Sequence, residues 1–365
     1  MLKRADWPAG EVVEFTHNSQ VLRGNALGDP HIRTHMVWLP PQYRDEPRRR
    51  FPVLYDLAGY TGSGPARVAW KNFDENMPER LARLVHEGAM APAIVVFPDC
   101  FTALGGNQYV NSSAIGQYAE FLVDELVPAI DVGFRTLATR DSRGCFGKSS
   151  GGYGAIVHAM KYPEVWGAIA NHAGDSYFDF VYRSDWPNTL RELEKYRQPS
   201  KIAGAYKVPA RKKALKPGYD DGRVRRFLEA FWACNNPSGA QIMCLMNLAM
   251  AATYDPDPRA PNGFRIPFDL ETGVLIEECW ARWLAYDPVN MVGEHAANLK
   301  TLRGIWIDCG WRDQYHIQYG CRQLSAALHA SGVRHRYEEF DGTHSGIDYR
   351  LDQSLPYLTK VLKKR

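Results

Sequence analysis

Nowhere in its 365 residues does the chain hold an unbroken apolar run near the roughly 20 positions a bilayer-crossing helix needs. No membrane span is therefore expected. Residues 1–20 carry Asp6, Glu11 and Glu14 and lack an apolar stretch, so no secretory leader is expected either. An excess of one charge is missing as well. The 44 Lys and Arg against 41 Asp and Glu leave a formal charge of +3, which excludes a nucleic-acid footprint. The basic runs Arg48-Arg49-Arg50, Arg211-Lys212-Lys213 and Lys363-Lys364-Arg365 read as solvated loops or tail. Cysteine is sparse: seven scattered residues, odd in number and without a C-x-x-C pair, read as reduced core thiols in a cytoplasmic protein. The histidines are dispersed, with no H-x-x-x-H and no His/Cys cluster, so neither a metal nor a cofactor is expected. Repeats and low-complexity tracts are absent too.

What the chain has is ordinary globular content, 45% hydrophobic and 23% charged, and enough length for a large core without staples. Its most informative segment is Gly147-Lys148-Ser149-Ser150-Gly151, which spells G-x-S-x-G. Bending from strand to helix within one residue strains the backbone of the serine, and flanking glycines keep side chains out of the crowded elbow. The hydroxyl then sits at a helix N-terminus, whose dipole favours developing negative charge. The pentad alone is a weak pattern; its context strengthens it. Residues 143–146 suit a buried strand, and residues 150–161 carry Ala155, Ile156, Val157, Ala159 and Met160 as a helix packed on a sheet would. An inert Gly/Ser-rich turn is the competing explanation.

Along the chain, strand-like and helix-like segments alternate. Strands are expected at 11–16, 34–39, 51–57, 93–97, 166–170, 304–308 and 336–340. Helices are expected at 76–87, 115–130, 319–330 and 351–362, each with an apolar face. The pattern predicts an α/β fold, a mostly parallel sheet flanked by helices, with ligands at the carboxyl ends of its strands. Residues 175–299 are too long for a loop and hold helical patterns at 189–196, 223–234, 239–252 and 275–285. They are read as a helical cap or lid inserted into a core made of residues 1–174 and 300–365. A peripheral decoration or dimer contact is the bland alternative.

A serine needs a base to remove its proton, and in this architecture the order along the chain is serine, acid, histidine. His158 falls inside the helix after the serine, His329 in a later helix, and His335 at the wrong end of the last strand. His344, in a glycine-containing loop just beyond residues 336–340, is the expected base. For the acid, Asp313 beyond Gly310 is favoured over Asp308, which lies within or at the end of the strand; Asp175 is a third option. Two backbone N–H groups should form an oxyanion hole: Ser150, directly after the nucleophile, and Tyr60 in the bend after residues 51–57.

The succession Phe51-Pro52-Val53-Leu54-Tyr55-Asp56-Leu57-Ala58-Gly59-Tyr60, then Val95-Val96-Phe97-Pro98-Asp99, then Gly147-Lys148-Ser149-Ser150-Gly151-Gly152-Tyr153-Gly154-Ala155, resembles the esterase D/Putative esterase family of α/β-hydrolases. That family includes S-formylglutathione hydrolases, enterochelin-esterase-like and feruloyl esterases, and mycolyltransferases. The resemblance covers about residues 34–175 and 300–350. It implies an α/β-hydrolase fold and a serine esterase acting on a small-molecule ester, with Ser149, Asp313 and His344 as triad and Tyr60 and Ser150 as oxyanion donors. Residues 175–300 depart from the compact members and leave the substrate open.

Three rival functions remain alongside the esterase. An acyltransferase would use the same acyl-enzyme, and a catalytically silent binding module would share the fold. Nucleotide hydrolysis is the weakest of the three, because a P-loop ending at Gly147-Lys148-Ser149 needs glycine where Ser142 stands. For the substrate pocket the candidates are Trp70, Tyr109, His172, Asp175 and Trp280, although core packing explains most cap aromatics equally well.

Overall fold

The structure is a computed structural model that describes residues 6–198 and 220–364. Its strands in chain order are β1 (Glu11–Asn18), β2 (Ile32–Leu39), β3 (Val53–Leu57), β4 (Ile94–Phe97), β5 (Asn111–Ser112), β6 (Gly116–Gln117), β7 (Arg143–Lys148), β8 (Ala168–His172), β9 (Gly304–Gly310) and β10 (Arg336–Phe340). Eight of them form one sheet in the order β1-β2-β4-β3-β7-β8-β9-β10, while β5 and β6 make a separate hairpin. From β4 to β10 every pairing is parallel; β2 joins β4, and β1 joins β2, in antiparallel sense.

The central strands read as apolar runs because both faces of the sheet are covered. Alternate residues point to opposite sides. Tyr55, Cys145, Ile169 and Ile307 enter one core, which the helices Ser150–Lys161, Pro288–Lys300 and Ile317–Ala330 close. Leu54, Phe146, Ala170 and Trp306 enter the other, beneath Met77–His86 and Leu351–Val361. The helix over residues 77–86 is set by a capping box between Asn76 and Glu79, with Pro78 in its first turn.

Two expected elements shift. The strand expected at 166–170 runs at Ala168–His172, since Trp166 turns into the core and donates its Nε1–H to His158 Nδ1 at 3.2 Å. The helix expected from 115 starts at Tyr118 because Ile115 belongs to the turn between β5 and β6. There Asn111 Oδ1 accepts from the N–H groups of Ala119 and Glu120 and anchors the helix start. It continues as a π-turn over Phe121–Leu126 before Pro128, which has no N–H to donate.

Between β8 and β9 the described residues contain the helices Phe178–Val181, Trp186–Glu194, Arg223–Ala233, Gly239–Tyr254, Glu277–Leu284 and Pro288–Lys300. The last is absent from the sequence reading. It packs on Ser150–Lys161 and Ile317–Ala330, as a crossover helix between parallel strands does. No helix among the described residues is long and apolar enough to cross a membrane.

Candidate active site at the carboxyl edge of the sheet

Ser149 stands between β7 and the helix Ser150–Lys161 with φ 58° and ψ −125°. This is a conformation L-residues rarely adopt, and tight packing enforces it. A Cβ on Gly151 would fall 1.8 Å from the Leu57 carbonyl oxygen, and one on Gly147 would fall 2.3 Å from the same atom. The end of β3 therefore presses against the elbow so closely that only glycine fits on either side of the Lys148-Ser149-Ser150 turn. The Ser149 N–H is held by His172 O at 2.9 Å.

The bend after β3 lies on the other side of the hydroxyl. A Cβ on Gly59 would meet Lys148 O at 3.1 Å and Ser149 Cβ at 3.6 Å, so this loop touches the nucleophile turn. Two buried tyrosines brace it. Tyr109 OH donates to Ala58 O at 2.7 Å, and Tyr60 OH donates to Leu104 O at 2.7 Å. Tyr60 O accepts from Gly106 N at 2.8 Å, while the Tyr60 N–H donates to no group among the described residues. The Ser150 N–H opens its helix and has no intrahelical acceptor.

His344 and Asp313 come together across the loops that follow β10 and β9. Those loops are zipped by Trp311 N to Phe340 O at 3.1 Å and Arg312 N to Gly342 O at 3.0 Å. His344 Nδ1 lies 2.7 Å from Asp313 Oδ2, and both residues are buried. A carboxylate only accepts, so Nδ1 carries the proton and Nε2 is left as the basic nitrogen. Three contacts fix this pair. Asp313 Oδ1 accepts from Tyr315 N at 2.8 Å, Gln314 Oε1 accepts from His344 N at 3.0 Å, and the Tyr315 ring stands edge-on to the imidazole at 4.9 Å.

The Ser149 hydroxyl is not hydrogen-bonded to His344. It donates to Asp175 Oδ1, at 3.5 Å. Asp175, just beyond β8, also accepts on Oδ2 from Tyr182 OH at 2.7 Å and from Gln108 Nε2 at 3.2 Å. Burial raises its carboxyl above the ordinary value, against the pull of Tyr182, His344 and Gln108. Gln108 and Tyr182 are absent from the sequence reading, since a loop residue and a residue of the inserted segment leave no periodic signal.

The other expected residues fall elsewhere. Asp308 Oδ1 is bound to His172 Nδ1 at 2.6 Å and Oδ2 to Arg350 Nε at 3.0 Å, so this carboxylate does not reach His344. His172 spends its second nitrogen on Ser354 Oγ at 2.8 Å. Tyr109 packs its ring over Gly154 and is fully committed to the loop it braces. Trp280 is buried against Trp283 at 5.5 Å, whereas Trp70 is half-exposed on the loop after the helix Gly64–Val68. His158, buried, uses Nε2 on Tyr109 O at 2.7 Å, and desolvation lowers its pKa to about 4.

A cavity of about 210 Å³ opens behind the bend after β3, lined by Asp56, Arg67, Lys148 and Asp348 among others. Neither Ser149 nor His344 lines it. Among the described residues no group of three or more His, Cys, Asp or Glu is arranged to hold a metal ion.

A family model described as Putative esterase matches residues 29–353. Esterase Rv1288 of Mycobacterium tuberculosis (strain ATCC 25618 / H37Rv) is 33% identical over 160 residues, covering 42% of this chain and 32% of that protein. The chain thus spans about a third of the length of the curated relatives it matches. Among solved structures, a ferulic acid esterase superposes with a TM-score of 0.60 at 18% identity, covering 98% of this chain and 100% of that one. An S-formylglutathione hydrolase from Agrobacterium tumefaciens gives 0.56 at 18% identity, covering 97% and 96%. At such identities the likeness is one of fold, the α/β-hydrolase fold.

Proposed function

The chain belongs to the Putative esterase family, and on that premise we propose that it is a serine carboxylic-ester hydrolase working through Ser149, His344 and Asp313. The observation that carries this reading is the 2.7 Å Asp313–His344 pair at the same sheet edge as a serine held at φ 58°. His344 Nε2 takes the Ser149 proton as the hydroxyl attacks the ester carbonyl. Asp313 holds the imidazole tautomer and stabilises the imidazolium without taking the proton. The N–H groups of Tyr60 and Ser150 stabilise the tetrahedral oxyanion. Alcohol leaves with the proton returned by His344, and water then cleaves the acyl-enzyme by the same route.

The serine hydroxyl turns toward Asp175. A change of χ1 between staggered wells re-aims it, and catalytic hydrogen bonds commonly tighten only once substrate is bound. Residues 175–299 act as a cap in this reading, apart from the helix Pro288–Lys300, which packs on the sheet core. Tyr182 and Met250, both from that segment, touch the Asp175–Gln108 pair beside the serine. The seven free cysteines support a reducing compartment, hence the cytoplasm.

The test is a panel of aryl esters of increasing acyl length, assayed with the wild type and Ser149→Ala. Ester cleavage that falls by about 10^4- to 10^6-fold in the variant supports the reading. A variant that keeps most of its activity removes Ser149 from the mechanism.

A further inference from the structure

Asp175 is an unexpected neighbour for a nucleophile that must carry negative charge past it. The carboxylate is 5% exposed, and its two oxygens are unequally served. Oδ2 accepts from Tyr182 OH at 2.7 Å and Gln108 Nε2 at 3.2 Å, whereas Oδ1 has only the long 3.5 Å contact from Ser149 Oγ among the described residues. An ionised carboxylate offers about four acceptor sites, so Oδ1 has capacity to spare on the side of the reacting atom. Gln108 is itself anchored, its Nε2 also reaching Ser150 Oγ at 2.8 Å and Met250 Sδ at 3.1 Å. Its buried Oε1 has no partner. Next to Ser149 the wall therefore presents one acceptor oxygen, Asp175 Oδ1, with capacity for a further donor.

For ester chemistry alone this arrangement is unhelpful. When ionised, this carboxylate, 3.5 Å from Ser149 Oγ, opposes the negative charge that develops there, and burial leaves little water to screen the repulsion. A donor supplied by the substrate would remove the conflict and satisfy Oδ1 together. The acyl carbon attached to Ser149 Oγ stands at most one covalent bond farther from Oδ1 than Oγ does. With Oγ near this position, an acyl chain bearing a hydroxyl or ammonium on carbon 2 or 3 is long enough to bring that donor to Oδ1. The acyl group is also the part of the substrate that stays bonded to Oγ through both half-reactions, while the alcohol leaves toward His344.

We propose that Asp175 is a specificity residue that selects esters whose acyl chain carries a hydrogen-bond donor, hydroxyl or ammonium, at carbon 2 or 3. This rests on the serine-hydrolase reading above. Acyl groups with a carboxylate at those positions are rejected by like charge.

The test compares 4-nitrophenyl esters of butyrate, 3-hydroxybutyrate, 3-methoxybutyrate and 3-aminopropionate on the full chain, with fluorophosphonate labelling as a parallel readout. The wild type should prefer 3-hydroxybutyryl or 3-aminopropionyl over butyryl by roughly 10- to 100-fold in kcat/KM, the range of a hydrogen bond to a charged group. The methoxy ester, which keeps the oxygen but not the donor, should show no advantage. Which of the two donors wins identifies the substrate chemistry. In Asp175→Asn, checked for folding by thermal unfolding, the ammonium preference should collapse. A wild type that labels normally and treats all four esters alike, or favours the methoxy ester equally, overturns this proposal and leaves the serine reading standing. A folded wild type that does not label overturns both.

Discussion

His172 Nδ1 and Asp308 Oδ1 lie 2.6 Å apart, forming a second buried His–Asp pair at the sheet edge that holds Asp313 and His344. The two pairs differ in what remains free. His172 Nε2 is taken by Ser354 Oγ, whereas His344 Nε2 has no hydrogen-bond partner among the described residues. One pair is closed and structural in character, and the other retains a basic nitrogen.

The two carboxylates should therefore fail differently. Asp313→Asn is expected to lower turnover by about 10^4-fold through the wrong imidazole tautomer, with thermal stability little changed. Asp308→Asn is expected to destabilise the fold by about 3 kcal/mol at neutral pH, because it breaks a buried ion pair with Arg350 and disturbs the hydrogen bond to His172. Steady-state kinetics beside thermal unfolding of both variants checks this. Equal loss of turnover in a well-folded Asp308→Asn would reassign the acid.

The Asp308 variant also carries a pH signature. Burial works to raise the Asp308 carboxyl, but His172, Trp306 and Arg350 together hold it below the ordinary value. A depressed folded value stabilises the native state above the unfolded carboxylate value of about 3.9. That contribution is lost as pH falls through the lower folded value. The stability gap between wild type and Asp308→Asn should accordingly be widest at neutral pH and narrow as the solution is acidified below about pH 4. Denaturant titrations at several pH values measure it.

Packing at the elbow makes a sharper prediction. Gly151→Ala would push a methyl to within 1.8 Å of the Leu57 carbonyl, a backbone atom with nowhere to go. A loss of about 3 kcal/mol or more, with little soluble protein, is expected. Gly293→Ala is the control. It lies exposed in the helix Pro288–Lys300 with nothing within 4 Å of the added methyl, so a gain of up to about 1 kcal/mol is expected from helix propensity.

In the inserted segment, Arg223 is nearly inaccessible and ion-pairs with Glu194, Asp221 and Glu271. Arg223→Ala removes the buried partner these carboxylates share, leaving Glu194 and Glu271 to Arg197 and Asp221 to Arg226, and should destabilise by about 3 kcal/mol. Limited proteolysis should then cut first between residues 175 and 299. First cleavage elsewhere would contradict the reading of that stretch as a separate cap.

The sheet was readable because its strands are buried on both faces and so stand out as short apolar runs, β3 and β4 most plainly. The elbow was readable because glycine is sterically compulsory at 147 and 151. The choice between Asp313 and Asp308 turned on where β9 ends. Its last residue, Gly310, leaves Asp308 pointing into the sheet and Asp313 in the loop. Other features were less legible. The helix Pro288–Lys300 had its start signal in Asp287, whose side chain accepts from Val289 N, but the long insertion masked it. The surroundings of Asp175 depend on Gln108 and Tyr182, 67 and 7 positions away in the chain. Such contacts are made by folding alone and leave no local pattern.

The most direct measurement is to treat the folded protein with a fluorophosphonate and map the adduct by mass spectrometry. The account predicts a single modified residue, Ser149, with modification strongly slowed in His344→Ala. No adduct on folded material, or an adduct at another residue with Ser149 untouched, would contradict it.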